Sequence, residues 1–417
     1  MIARKLAYMI RVLRQEHYSR EQLRLFQSQA LRELFDYARA NVPFYAEKYK
    51  KVGVINGLNE LRKLPITTRK EYLDAEKRVY SRKFDYLNKE LLQDRSTSGS
   101  TGTSFKIKYD ERAWDYLEAV YARAFFSQGY NPAFKMAYYW YEPLKPKLQN
   151  YFGLFRRHYI PCTWPISRQI RELVNGNFKY IHYFSSILYY ISRIISDKDA
   201  RRIHPRAIFT HAELLSPGMK ASIMRKFRAP VYDSYGTTEF VRMAWECPIC
   251  GTYHVCDDSL ILEVLDENDE PCKPGQQGRF VVTGLANYVL PLIRYDMGDY
   301  GCISKKPNSC GEHFTSIEDI AGRAPDFLLS SAKRFIPPKQ IIDALDRLDE
   351  LAIFKVEQLA TTKIRVIALP KKGRNLPVSK IQNTLRKLLG QTMKVYIEKA
   401  IPQFSKRGKL RLVENKC

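Results

Sequence analysis

"STSGSTGTSFKIKYD", residues 96–110, decides how the chain is read. It holds two glycines and seven serines and threonines, then turns into "FKIKY", where apolar and polar residues alternate as in a strand. A linker would stay polar and featureless. A glycine-rich hairpin running into a sheet instead presents successive backbone N–H groups, which suit phosphate oxygens. An ordinary Ser/Gly turn fits the same residues. No G-K-[ST] closes the loop and no dinucleotide fingerprint is present, so it is neither a Walker loop nor a Rossmann turn.

The rest of the chain sets the frame. Its 417 residues suffice for two or three domains. Hydrophobic residues at 45% and aromatics at 13% argue for a large packed core over disorder. Lys and Arg number 69 against 44 Asp and Glu, giving a net charge of +25 spread along the chain. Nucleic acid, an anionic membrane surface and an anionic substrate are all compatible with that charge. Four of the eight cysteines (Cys247, Cys250, Cys256, Cys272) fall within 26 residues. In a long chain without a secretory leader pattern, this points to metal or free thiols rather than a disulfide scaffold.

The opening "MIARKLAYMIRVLR" places Ile2, Leu6, Met9, Ile10 and Leu13 on one helical face, with Arg4, Lys5, Arg11 and Arg14 around it. That pattern suits an anionic membrane surface, and equally a helix docked on its own domain. The most apolar stretch, "YIHYFSSILYYISRII" at 180–195, is too short and too interrupted to span a bilayer. A cytoplasmic protein, at most peripheral at the inner face of the membrane, is expected.

Residues 1–75 read as helices, with "QLRLFQSQALRELFDYARANV" periodic until "PFY" stops it. Helical periodicity returns in "ERAWDYLEAVYARAFFSQG" and ends at a glycine. Short apolar runs such as "KMAYYWY" and "RAIFTHAE" then alternate with helical segments, which predicts an α/β fold with a largely parallel sheet. "LILEVLD", "GRFVVTGL" and "LPLIRYDMGD" read as strands, the last ending at Arg294 and Asp299. A boundary near residue 322 separates residues 1–321 from a smaller α+β segment, 322–417.

Four constellations carry chemistry. In the loop, Ser98, Ser100, Thr101 and Thr103 offer hydroxyls, while Gly99 and Gly102 admit a polyphosphate close to the backbone. In "YDSYGTTEF", residues 232–240, Tyr235 can stack on a base, Thr238 can meet a phosphate, and Glu239 supplies the hard oxygen that Mg2+ favours. In "LIRYDMGD", Asp299 can take ribose hydroxyls, or belong to a strand-end ion pair. In "SKRGKLRLV", residues 405–413, Lys409 follows a glycine and precedes a strand, as a delivered cation or as part of an inert basic tail.

In this order and at these separations the chain resembles the acyl-adenylate-forming enzymes, in the phenylacetate–CoA ligase-like branch that includes CapK-type capsule-biosynthesis proteins. The resemblance runs from about residue 30 to the end, through "YARANVPFY", "TSGSTGT", "YFSSILYYIS", "THAELL", "YGTTE", "LIRYDMGD", "GR" at 322–323 and "GK" at 408–409. It implies a large multilayer αβ adenylation domain and a small mobile α+β lid. It implies a carboxylic acid substrate, ATP and Mg2+, an acyl-AMP intermediate, and then transfer to a thiol. Ser98–Thr103 would hold the β- and γ-phosphates. Tyr235, Gly236, Thr237, Thr238 and Glu239 would meet the nucleotide, its α-phosphate and Mg2+. Asp299 would hold the ribose, Arg323 would sit by the nucleotide, and Glu213 in "THAE" would line the adenine and acyl side. Lys409 would stabilise the charge developing on phosphorus.

"CPICGTYH", residues 247–254, matches zinc spacing and supplies Cys247, Cys250 and His254. The resemblance nominates Cys310 in "NSCGEH" as the fourth ligand, because relatives pair a Cys-x6-His segment with a downstream cysteine pair. Cys256 and His313 stand in reserve. A site closed by four ligands is structural.

The chain departs from the family at "GRAPDFLLSSAKRFIPP", where Pro325 replaces the expected hinge acid. Proline fixes its own φ and restricts Ala324, so a pivot would fall at Asp326. A glycine that helps admit CoA is missing as well. CoA is therefore joined as candidate acceptor by a sugar hydroxyl or amine, or a carrier. The alternatives are a degenerate family member that binds nucleotide as a scaffold in glycan assembly, and a zinc-ribbon nucleic-acid binder. With one Cys-x2-Cys and no concentrated basic tail, no nucleic-acid partner is expected.

Overall fold

The computed structural model describes residues 2–84, 93–96, 106–146 and 148–417, with backbone alone for 93–96 and 148–149. The loop Ser98–Thr103 lies outside the described residues. The chain forms two compact units, residues 1–128 with 235–319, and residues 129–234 with 320–417.

The first unit begins with helices Ile2–Gln15, Arg20–Asn41, Pro43–Lys48 and Arg69–Ala75. Ser19 caps the second of these in a reciprocal capping box with Gln22, and Thr68 caps the fourth in the same way with Glu71. Strands Gln93–Ser96 and Lys106–Tyr109 pair antiparallel as a hairpin, Ser96 opposite Lys106. Helix Glu111–Ser127 follows, capped by Asp110. Antiparallel strands Leu260–Leu265, Gly278–Gly284 and Tyr295–Ile303 complete the part that carries Asp299.

Here one expectation is corrected. The apolar "LPLI" is not a strand, and Asp299 does not end one. Arg294 adopts a left-handed φ of 44° that breaks the extended chain. Its guanidinium is drawn back to Glu263, at 3.0 and 2.9 Å, and to the Leu64 carbonyl at 2.6 Å. The strand starts only at Tyr295, and Asp299 stands in its middle.

In the second unit, strands Arg157–Pro161, Met136–Trp140, Tyr180–Phe184, Ala207–His211 and Val231–Tyr235 run parallel in that order. Helices Ser185–Ile194 and Pro217–Phe227 make the crossovers. "YIHYF" is buried at all five positions, as expected of a parallel strand covered on both faces. After residue 320 come helices Pro338–Asp346 and Val378–Leu389 on a four-stranded sheet ordered Lys394–Lys399, Lys363–Pro370, Leu351–Ala360, Val413–Asn415. One core joins the two sheets, Ile181, Tyr183, Leu188 and Ile191 packing with Ile341, Leu345, Ile353 and Phe354. Arg193 fastens them, donating to the Leu351 carbonyl at 2.7 Å.

Candidate functional site

The predicted residues fall in both units. In the first, "YGTTE" forms a tight turn leaving strand Val231–Tyr235. It is closed by Val241 N–H donating to Thr237 O and Met243 N–H donating to Tyr235 O, both at 2.9 Å. A Cβ at Gly236 would collide with the Val241 carbonyl, so this turn demands glycine. Tyr109, on the second hairpin strand, donates its hydroxyl to the Thr238 and Glu239 carbonyls at 3.0 and 2.7 Å. The hairpin and the turn are thus pinned together by one phenol. Tyr235 donates to Asp299 Oδ2 at 2.6 Å. The Arg69 guanidinium lies 4.0 Å from Glu239 Oε1. Thr237 turns its hydroxyl to Met243 Sδ at 3.9 Å.

In the second unit, Glu213 and Lys409 come together. Glu213 follows the carboxyl end of strand Ala207–His211, and Ala212 between them has φ 69°. Open α/β sheets place ligands at such strand ends. Glu213 Oε2 accepts from Ser186 N–H at 3.0 Å and Ser186 O–H at 2.6 Å, while Oε1 accepts from Leu410 N–H at 2.6 Å. Burial pushes its carboxyl up despite these donors.

Lys409 rides on a turn, Ser405–Lys409, held by Gly408 N–H to Ser405 O at 2.8 Å and Lys409 N–H to Ser405 Oγ at 3.1 Å. Gly408 has φ 74°, and a Cβ there would strike Tyr139 and Cys162. Tyr139 donates to the Gly408 carbonyl at 3.2 Å. The Lys409 ammonium lies 5.6 Å from the centre of the Phe184 ring. Burial, with Arg323, Arg407 and Arg411 adding to it, outweighs the pull of Glu213 and holds this ammonium below the ordinary lysine value. Arg323 ends strand Ser316–Arg323. Pro325 sits in the short 3-10 turn Ala324–Asp326, whose Asp326 lies 3.5 Å from the Arg411 guanidinium.

The cysteine cluster lies wholly in the first unit. Cys247 Sγ, Cys250 Sγ, His254 and Cys310 Sγ lie within 4.8 Å of one another. Gly251, at φ 69°, turns the Cys247–Cys250 knuckle. His254 is fully buried on strand Tyr253–Val255, with Nε2 3.8 Å from Cys310 Sγ and Nδ1 2.7 Å from Glu312. Tetrahedral Zn–S bonds of about 2.3 Å place ligand atoms about 3.8 Å apart, so this donor set fits zinc. A carboxylate on the second imidazole nitrogen fixes the tautomer that presents Nε2 to a metal. Cys256 and His313 stay outside the cluster. Cys256 is buried, and its thiol is pushed up to about 12 by that burial.

Ser186, Tyr109, Tyr139 and Arg69 were not singled out individually from the sequence. Each acts through a backbone group or across a long chain separation, and only Tyr109, alternating inward in "FKIKY", carried a readable burial signal.

No protein-family model matches the chain. It is 23% identical to the phenylacetate-coenzyme A ligase of Escherichia coli K12 over 356 residues, covering 81% of this chain and 79% of that protein. It is 24% identical to Protein CapK of Staphylococcus aureus over 366 residues, covering 77% and 74%. Among solved structures, a 2-hydroxyisobutyryl-CoA ligase in the postadenylation state, in complex with R3-HIB-AMP, superposes with a TM-score of 0.79 at 17% identity, over 97% of this chain and 91% of that one.

Proposed function

We propose, from the chain's place in the phenylacetate–CoA ligase-like branch of the AMP-forming ligases, that it activates a carboxylic acid with ATP and passes the acyl group to an acceptor. The substrate carboxylate oxygen attacks the α-phosphorus of ATP, the bond to the bridging oxygen of pyrophosphate breaks, and acyl-AMP and pyrophosphate result. A nucleophile then attacks the acyl carbon and releases AMP. CoA is the acceptor that the ligase relatives' names favour. A sugar hydroxyl or amine, or a carrier, stands beside it in the capsule or cell-envelope polysaccharide role that the CapK likeness suggests.

The observation that carries this reading is Lys409, held on a glycine turn beside Glu213 and among Arg323, Arg407 and Arg411. A cation aimed at developing phosphoryl charge lowers that barrier. In the same reading Glu239 and Thr238 serve Mg2+ and the α-phosphate, and Asp299, set by Tyr235, serves the ribose. Ser98, Gly99, Ser100, Thr101, Gly102 and Thr103 serve the outgoing phosphates. Residues 322–417 act as the moving lid. Cys247, Cys250, His254 and Cys310 would hold Zn2+ as a closed structural cross-link.

The test is carboxylate-dependent ATP–pyrophosphate exchange over an acid panel, with and without CoA. Exchange with at least one acid is expected, and AMP release should rise when the true acceptor is added. Nucleotide binding without exchange across the panel would replace this reading with that of a scaffold.

A further inference from the structure

The helix Ile2–Gln15 is docked by the side that its sequence marks as polar. Arg4 donates to Asp115 at 2.7 Å and to Glu111 at 3.1 Å, and Lys5 pairs with Asp115 at 3.1 Å and Glu118 at 3.0 Å. Val12 and Gln15 are buried, and Tyr8 packs edge-on against Tyr116 at 5.5 Å. Arg123 donates to the Val12 carbonyl at 3.2 Å. These contacts fix which face looks out. Ile2 is 67% exposed, Leu6 60%, Ile10 51% and Leu13 37%. Their spacing of four, four and three residues is that of a single helical stripe. Ala3, Ala7 and Arg14 are exposed beside them, Arg11 lies over the Tyr116 and Phe26 rings on the docked side, and the helix contains no acidic residue.

A helix that serves only its own domain buries its aliphatic stripe and exposes its charges; this one does the reverse. We infer that it lies on an anionic bilayer surface, with Ile2, Leu6, Ile10 and Leu13 in the headgroup–acyl boundary and Arg14 against lipid phosphates. Charge selects this occupant over a second copy of the chain. Two acid-free helices bearing Arg14 on chains of net charge +25 would repel, whereas anionic headgroups complement that charge. At 14 residues the helix is too short to cross, which leaves it lying in the interfacial plane. No helix among the described residues is long and apolar enough to span a membrane. The inference stands apart from the proposed reaction, because none of these side chains belongs to the candidate site.

Flotation of the full chain with vesicles tests it, comparing phosphatidylcholine alone with phosphatidylcholine containing about a third phosphatidylglycerol. Binding to the anionic vesicles is expected, and should be about tenfold or more weaker on phosphatidylcholine alone. Leu6→Glu with Ile10→Glu should weaken it roughly a hundredfold, and Arg14→Glu about tenfold, with the melting temperature unchanged because these side chains are exposed. No binding to anionic vesicles overturns the inference, as does binding indifferent to Leu6→Glu with Ile10→Glu. Absent vesicle binding, an oligomer dissociated by Leu6→Glu in sedimentation velocity would assign the face to self-association instead. Pyrophosphate exchange measured without vesicles reports on the catalytic reading separately.

Discussion

Asp299 in the first unit takes the Tyr235 phenol at 2.6 Å, while Glu213 in the second takes two donors from Ser186 and the backbone N–H of Leu410. Tyr235 donates to the Asp299 carboxylate and Tyr109 to the Glu239 carbonyl, while the Arg69 guanidinium lies 4.0 Å from the Glu239 carboxylate. Lys409 lies near Glu213, and Arg323, Arg407 and Arg411 act in turn on the Lys409 ammonium. In the proposed function the first region's carboxylates serve hydroxyls and a divalent cation. The second gathers positive charge at Lys409, on a loop that Glu213 fastens through the Leu410 N–H. In the proposed reaction this difference would divide the labour of nucleotide activation, the first region orienting and the second supplying the field.

The sharpest way to break this comparison is to remove the field. Lys409→Ala should lower pyrophosphate exchange by about 100- to 1000-fold or more, the cost of losing a charge aimed at a transition state. Lys409 also predicts a pH profile. Its ammonium is held below the ordinary lysine value, so it loses its proton, and the activation rate falls, at lower pH than an ordinary lysine would require. Lys409→Arg keeps its charge throughout and should abolish that alkaline limb while running slower. An unchanged limb in the arginine variant would mean that another group titrates.

Next in size is the cysteine cluster, which belongs to the orienting unit and predicts loss of order rather than of chemistry. Cys247→Ser should bring bound zinc, measured by elemental analysis, well below one per chain. The melting temperature should fall by on the order of 10 °C. Zinc retained at one per chain in both Cys247→Ser and Cys310→Ser would remove the metal from the account.

The parallel strands were legible because "KMAYYWY" and "RAIFTHAE" are short apolar runs bounded by turns, and nothing distant competes with that pattern. "LPLI" looked the same and failed, since Glu263 and the Leu64 carbonyl pull Arg294 into a left-handed turn from 31 and 230 residues away. The local spacing named Cys247, Cys250 and His254, but Cys310 lies 56 residues from His254 and was reachable only through resemblance. The outward stripe of the first helix was equally hidden, because the Arg4–Asp115 contact that fixes its orientation spans 111 residues. Partners of Glu213 had no signature at all, two of its three donors being backbone N–H groups.

Those donors give the smallest and most discriminating test. Glu213→Gln keeps shape but replaces one accepting oxygen with an N–H2. If the amide oxygen faces Ser186, the N–H2 is turned toward the Leu410 N–H, donor against donor. If it faces Leu410, the N–H2 meets the Ser186 N–H instead. Either way one charge-assisted hydrogen bond is lost, worth about 1.5–3 kcal/mol when intact. Some of this returns, because burial already raises the carboxyl and the neutral amide avoids that desolvation. A fall of about tenfold in the exchange rate is therefore expected, with the KM for ATP little changed, since the latch places Lys409 rather than binding substrate. The sign of the pH effect follows from the same burial. A raised folded-state value means stability from the protonated form, present at low pH and lost as pH rises through that value; the glutamine variant should lack this slope. If Glu213→Gln instead raised KM with the rate unchanged, Glu213 would contact the nucleotide directly, and the two regions would share the work of orientation.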